Sequence, residues 1–219
     1  MKAVIFDLDG TILDRSGSLI DFIQWQVNKI LKTEIRNKDD FVKRFIQLDD
    51  SGRVWKDRVY ESLIQEFDIR RWSAEELLNI YELCFCAFCI PMDGVELAIK
   101  KLHEEGYKIG MVSNGKTPFQ ERNFDSLGLS KYFSSVLVSE LVGMRKPEKA
   151  IFELCCQELG VPVKNAIFVG DNPVADIQGA SEAGLKTIFI PGHIATECHL
   201  ADNTCTNYDV LADLVRPMF

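Results

Sequence analysis

An α/β fold is predicted, with a parallel sheet covered by helices on both faces and one all-helical block inserted behind its first strand. Three observations predict it. Apolar strand-like runs alternate with helix-period segments from residue 93 to residue 190. One earlier run, Lys2-Ala3-Val4-Ile5-Phe6, stands apart from them, and residues 16–90 carry helical periodicity with no convincing strand. Alternation of this kind means parallel pairing through crossover helices.

The first run is apolar, rich in β-branched residues and halted by the polar turn Asp7-Leu8-Asp9-Gly10-Thr11, as a buried parallel strand is. Amphipathic helices follow near 17–32, 38–48, 53–67 and 73–89. Ser73 is placed as an N-cap with Glu76 completing a capping box, and Pro91 stops the last helix. Val95, Ala98, Ile99 and Leu102 recur at helical spacing and Gly106 closes that segment. Tyr107-Lys108-Ile109-Gly110-Met111-Val112 reads as a strand ending in Ser113-Asn114-Gly115, after which Thr117 and Pro118 open a helix as N-cap and first residue. Ser135-Val136-Leu137-Val138 is the next strand, and Pro147 starts a helix closed by Gly160. Ala166-Ile167-Phe168-Val169-Gly170 runs into Asp171, and Thr187-Ile188-Phe189-Ile190 is the last strand.

With 219 residues, 47% apolar and 26% charged, the chain has the makeup of an ordinary globular protein large enough for a domain with an insertion. A net charge of −8 argues against a nucleic-acid or anionic-membrane surface, so any anionic substrate has to be drawn in by a local positive site. No apolar stretch approaches the ~20 residues that span a bilayer. Met1-Lys2 leads straight into the first strand without room for a secretory signal, and the expected setting is the cytoplasm. Of the seven cysteines, Cys84 falls at helical spacing with Leu77, Tyr81 and Phe88, and no second cysteine pair closes a zinc site. They are expected to be structural thiols.

Side chains alternate along a strand, so Asp7 and Asp9 leave its end toward roughly the same side. Two carboxylates held that close repel unless a cation intervenes or one keeps its proton. The pair suits a magnesium-assisted reaction with one carboxylate as nucleophile and the other as acid/base. A calcium loop does not fit, because Gly10 is fourth in the run and not sixth. A plain Asp-Gly turn is the competing reading of the pentapeptide alone. Asp7, Ser113 and Asp171 each follow directly on a predicted strand, and in open parallel sheets ligands bind at those carboxyl ends. Three scattered polar residues thereby become one expected site.

Four segments in order resemble the haloacid dehalogenase superfamily of aspartate-nucleophile hydrolases, over essentially the whole chain. They are Asp7-Leu8-Asp9-Gly10-Thr11, Val112-Ser113-Asn114-Gly115, Arg145-Lys146-Pro147 and Gly170-Asp171-Asn172-Pro173-Val174-Ala175-Asp176. The resemblance implies a Rossmann-like three-layer core from residues 1–13 and 92–219, and an α-helical cap domain at 14–91. It implies that Asp7 is the nucleophile, forming an aspartyl-phosphate, and that Asp9 is the acid/base. Ser113, Lys146 and the main-chain N–H groups of Leu8 and Asn114 would hold the phosphoryl oxygens. Mg2+ would bind the Asp7 carboxylate, the Asp9 carbonyl and Asp171. Asp176 would sit behind, orienting Lys146 or metal-bound water, or else serve as an acid favoured by the dipole of its helix.

The expected activity is magnesium-dependent hydrolysis of a small soluble phosphomonoester. The alternative is a phosphomutase of the β-phosphoglucomutase type. A dehalogenase fits poorly because its branch lacks an aspartate at the position of Asp9, and an idle binding protein because no motif residue is missing. Within the cap, the turn Asp49-Asp50-Ser51-Gly52-Arg53 is the candidate specificity loop, with Arg53 facing the leaving group. A solvated turn is the other reading of that segment.

Overall fold

Ala3, Val4, Ile5 and Phe6 have no exposed surface, and they form β1 (Ala3–Phe6), the central strand of a sheet. A strand that is apolar at every position has to be covered on both faces. The computed structural model describes residues 1–219 throughout and divides into two units, Met1–Asp14 with Pro91–Phe219, and Arg15–Ile90.

The unit Arg15–Ile90 is entirely helical: α1 (Arg15–Lys29), α2 (Lys38–Asp49), α3 (Lys56–Glu66) and α4 (Ala74–Cys84). Leu19, Phe22, Ile23, Gln26 and Val27 form the buried stripe of α1, where Phe22 packs edge-on against Tyr81 at 5.3 Å between centroids. Ser73 caps α4 and Glu76 completes the capping box, as its sequence pattern predicts. That helix stops at Cys84, short of the predicted 89, because Phe85–Phe88 tightens into a 3₁₀ turn. α3 begins at Lys56, three residues past the predicted start of 53, because Asp50 and Ser51 take left-handed backbone conformations, φ 47° and 56°. Asp49 is buried between the Arg15 guanidinium and the Lys56 ammonium and also accepts the Gly52 N–H.

In the other unit, β2 (Lys108–Ser113), β3 (Ser135–Val138), β4 (Ala166–Gly170), β5 (Lys186–Phe189) and β6 (Asn203–Thr204) join β1 in a parallel sheet ordered β3-β2-β1-β4-β5-β6. Its helices are α5 (Val95–Glu104), α6 (Phe119–Ser126), α7 (Ser139–Val142), α8 (Lys149–Leu159), α9 (Gly179–Glu182) and α10 (Leu211–Val215). Ala3 and Ile5 face a cluster with Ile151, Phe152 and Cys155 of α8, while Phe6, on the opposite face, meets the Phe133 ring at 6.4 Å. The architecture is therefore the α/β sandwich with a parallel sheet that the alternation predicts. The order reverses between β1 and β4, which places a switch-point crevice at the carboxyl end of β1.

Two predicted helix starts in this unit shift as well. α6 begins at Phe119 and not at Pro118. Thr117 is no cap, since its hydroxyl donates to Glu121 (2.6 Å) and its N–H to Glu140 (2.8 Å). α8 begins at Lys149, two residues beyond Pro147, and closes as predicted on Gly160. The region after 190 adds β6, α10 and Tyr208, whose hydroxyl donates to the Thr11 carbonyl and ties this segment to the loop after β1. The seven cysteines are free thiols, and no helix is long and apolar enough to cross a membrane.

Candidate active site

Asp7 is the first residue past β1, and its N–H donates to the Val169 carbonyl at 2.9 Å, continuing the ladder to β4. Its carboxylate thus has a fixed starting point in the crevice beside β4. Lys146 reaches the same place from the loop before α8, with its Nζ 2.5 Å from Asp7 Oδ1 and 2.7 Å from Asp176 Oδ1. Both Lys146 and Asp7 are buried.

Asp171 follows β4 immediately and lies against the turn after β1. Gly10 in that turn has φ +80°, and a Cβ there would run into the Asp171 carboxylate. Glycine is needed twice over, for the left-handed backbone and for this close approach. Asp176 comes from a π-helical stretch, Pro173–Gln178, a form that recurs at functional sites. Its Oδ2 accepts the Asn172 N–H at 3.0 Å while Oδ1 pairs with Lys146. Asn172 in turn caps the stretch, accepting from Val174 and Ala175.

The loop after β2 supplies the other half. Asn114 and Lys146 form a reciprocal pair: the Lys146 N–H donates to Asn114 Oδ1, and Asn114 Nδ2 donates to the Lys146 carbonyl, each at 2.9 Å. The Asn114 side chain is therefore spent on holding the Lys146 backbone. Ser113 Oγ and Asp9 Oδ2 are both reached by one nitrogen, Gln120 Nε2, at 2.8 Å and 2.6 Å. Gln120, in the first turn of α6, is the polar residue the sequence reading missed. The available signal was an amide one helical turn past a Ser-Asn-Gly strand end.

Of the residues singled out by sequence, Asp7, Asp9, Ser113, Asn114, Lys146, Asp171 and Asp176 lie in the sheet unit at this edge. Arg53 lies in the helical unit, where it is exposed and pairs with Asp50, Nη2 to Oδ1 at 2.7 Å.

Three buried carboxylates, Asp7, Asp171 and Asp176, have oxygens within 4.8 Å of one another. Burial pushes the Asp7 carboxyl up to about 7 against the pull of Lys146, with Asp176 adding to the rise. Burial and then the Asp7 charge push Asp171 up to about 9. Burial works against the charged form of Lys146, but the Asp176 and Asp7 carboxylates outweigh it and hold the ammonium above its ordinary value. Once ionised, three carboxylates around one ammonium carry surplus negative charge in a low-dielectric place. An all-oxygen donor set with surplus charge suits a hard divalent cation, so these residues fit magnesium. Asp7, Asp171 and Asp176 could each offer such an ion a carboxylate oxygen.

Known proteins resemble this chain over most of its length. Residues 1–184 match the model of the haloacid dehalogenase-like hydrolase family. The chain is 36% identical over 197 residues to a glyceraldehyde 3-phosphate phosphatase of Methanopyrus kandleri, covering 87% of this chain and 84% of that one. It is 26% identical over 226 residues to the pyrimidine 5′-nucleotidase PynA of Streptococcus pneumoniae, covering 93% and 87%. Its structure superposes on a haloacid dehalogenase-type phosphatase from Thermococcus onnurineus with a TM-score of 0.69 at 27% identity, over 99% and 98% of the two chains.

Proposed function

The chain belongs to the haloacid dehalogenase-like hydrolase family, and on that premise we propose that it is a magnesium-dependent phosphatase of a small soluble phosphomonoester, working through an aspartyl-phosphate on Asp7. The observation that carries the reading is the buried contact of Asp7 with Lys146 beside Asp171 at the switch point of the sheet. A phosphoryl group entering the crevice meets the Lys146 ammonium, which Asp7 and Asp176 already hold in place. The phosphatase names of the relatives favour transfer to water over transfer to a sugar.

The steps follow from the residues. An oxygen of Asp7 attacks phosphorus in line as the bond to the leaving oxygen breaks, and Asp9 gives that oxygen its proton. Asp9, now a carboxylate, takes a proton from the water that attacks the aspartyl-phosphate. Inorganic phosphate and the Asp7 carboxylate result. Ser113, the Asn114 main-chain N–H and Lys146 hold the phosphoryl oxygens, and Asp176 keeps the Lys146 ammonium in place. Magnesium, when bound by Asp7, the Asp9 carbonyl and Asp171, neutralises phosphoryl charge. Residues 14–91 are assigned the part of a substrate-selecting cap, with Arg53 as the candidate residue within it.

The test is phosphate release from a panel of phosphorylated metabolites with magnesium present. Asp7→Asn should abolish turnover in a protein that still folds, as judged by circular dichroism. Turnover that survives Asp7→Asn, or that runs at full rate in a chelator, would refute the proposal.

A further inference from the structure

We propose that Gln120 is a positioning residue that aims the Asp9 carboxyl at the leaving group, an inference that rests on the reading of Asp9 as the acid/base. The two hydrogens of its single amide nitrogen are divided between Asp9 Oδ2, at 2.6 Å, and Ser113 Oγ, at 2.8 Å. A carboxylate only accepts, so the nitrogen and not the oxygen of the amide has to face Asp9. The other end agrees, because Gln120 Oε1 accepts from Asn123 Nδ2 at 3.3 Å. Gln120, Asn123 and Ser113 are all buried, which makes this polar chain costly to leave partly unmade.

The backbone makes room for it. A Cβ on Gly115 would lie 2.5 Å from Gln120 Cγ and 2.9 Å from its Cδ, so the glycine after Asn114 lets the amide lie beneath the loop. Asp9 itself is partly exposed, on a turn, and is free to rotate without such a clamp. With Oδ2 held, the proton in transit belongs to Oδ1, and the carboxyl plane is set before substrate arrives. The bond to Ser113 occupies a lone pair of its hydroxyl, which leaves the O–H to donate toward an anion and keeps it from Asp9. Misplacement of a reacting group by about 1 Å can cost on the order of 10²-fold in rate.

The experiment compares Gln120→Leu and the isosteric Gln120→Glu, each with and without Asp9→Asn, on 4-nitrophenyl phosphate and phenyl phosphate with magnesium. The phenolate of phenyl phosphate leaves poorly and needs its proton, whereas 4-nitrophenolate hardly does. The expected result is a fall in kcat of roughly 10- to 100-fold on phenyl phosphate against less than about 3-fold on 4-nitrophenyl phosphate, with KM little changed. Retained turnover of the nitrophenyl ester shows that the variant is folded. On the Asp9→Asn background either substitution should add less than about twofold, because the residue it positions has lost its proton. Equal falls on both esters, or losses that multiply fully with that of Asp9→Asn, would overturn the proposal. If Asp9→Asn alone lowers both esters equally, the acid/base reading fails and takes the proposal with it. The two failures are told apart by which single variant lacks the leaving-group dependence.

Discussion

Without a bound cation the stability of this protein should fall as pH rises, and magnesium should oppose that fall. Asp7 is pushed up to about 7 and Asp171 up to about 9, against 3.8 for the ordinary carboxyl. The metal-free native state therefore keeps protons that the unfolded chain has released. Stability changes with pH in proportion to protons bound unfolded minus protons bound native, a negative difference here, so it decreases upward through this window. Between about pH 5.5 and about pH 8, Asp7 accounts for a loss of about 2 kcal/mol and Asp171 for about 3 kcal/mol, roughly 5 kcal/mol together. For a chain of this size ~1 kcal/mol moves the melting temperature by about 2–4 °C, so the drop is of order 10–20 °C. A cation that binds only the deprotonated carboxylates stabilises more at the upper pH. The assay is thermal melting in chelator and in excess magnesium at both pH values, with Asp171→Asn as the comparison. The magnesium-induced rise in Tm should be several-fold larger at about pH 8 and largely absent in Asp171→Asn. Equal rises at the two pH values would refute the reasoning, because they would mean that the cation does not compete with protons on these groups.

Two other substitutions follow from named contacts. Gly10→Ala forces φ +80° on an L-residue and drives its methyl into the Asp171 carboxylate, whereas Gly106→Ala meets nothing within 4 Å at φ +85°. Both should lose about 1–2 kcal/mol from the left-handed backbone, but only Gly10→Ala should also lose the magnesium-induced rise in Tm and the turnover. Arg53→Ala breaks an exposed pair with Asp50 and should leave the melt unchanged. It should raise KM for the best metabolite of the panel and not for 4-nitrophenyl phosphate, and unchanged kinetics on every metabolite would make Arg53 part of a solvated turn.

Legibility in the sequence tracked the range of the signal. β1, β2 and β4 were readable because each is a short buried run ended by a polar turn, and those same ends carry Asp7, Ser113 and Asp171. The capping box at Ser73 and Glu76 was readable because both partners lie within one helical turn. The shifted start of α6 was not, since Thr117 turns to Glu140 across 23 residues of chain. Gln120 escaped for the same reason: its partner Asp9 is 111 residues away, and a glutamine in a first helical turn otherwise passes for a solvent-facing residue. β6, only two residues long and made of polar side chains, carries too little periodicity to be seen before its neighbour β5 is in place.

The central position of β1 has a consequence for how the chain matures. Phe6 pairs with Met111 on one side and Val169 on the other, so the first strand of this sheet to be synthesised is bracketed by strands made much later. About 160 residues must follow it before its second partner is complete, on the order of 10 s at the usual ~5–20 residues per second. Until β2 emerges the apolar run has no partner, and until β4 emerges one of its edges stays open, while the contacts within α1 to α4 close over shorter spans. Synthesis order thus favours the inserted helices forming first, with the sheet condensing around β1 once β4 has emerged. Nascent chains halted before residue 108 should bind hydrophobic-segment chaperones through the first strand more strongly than chains released beyond residue 170.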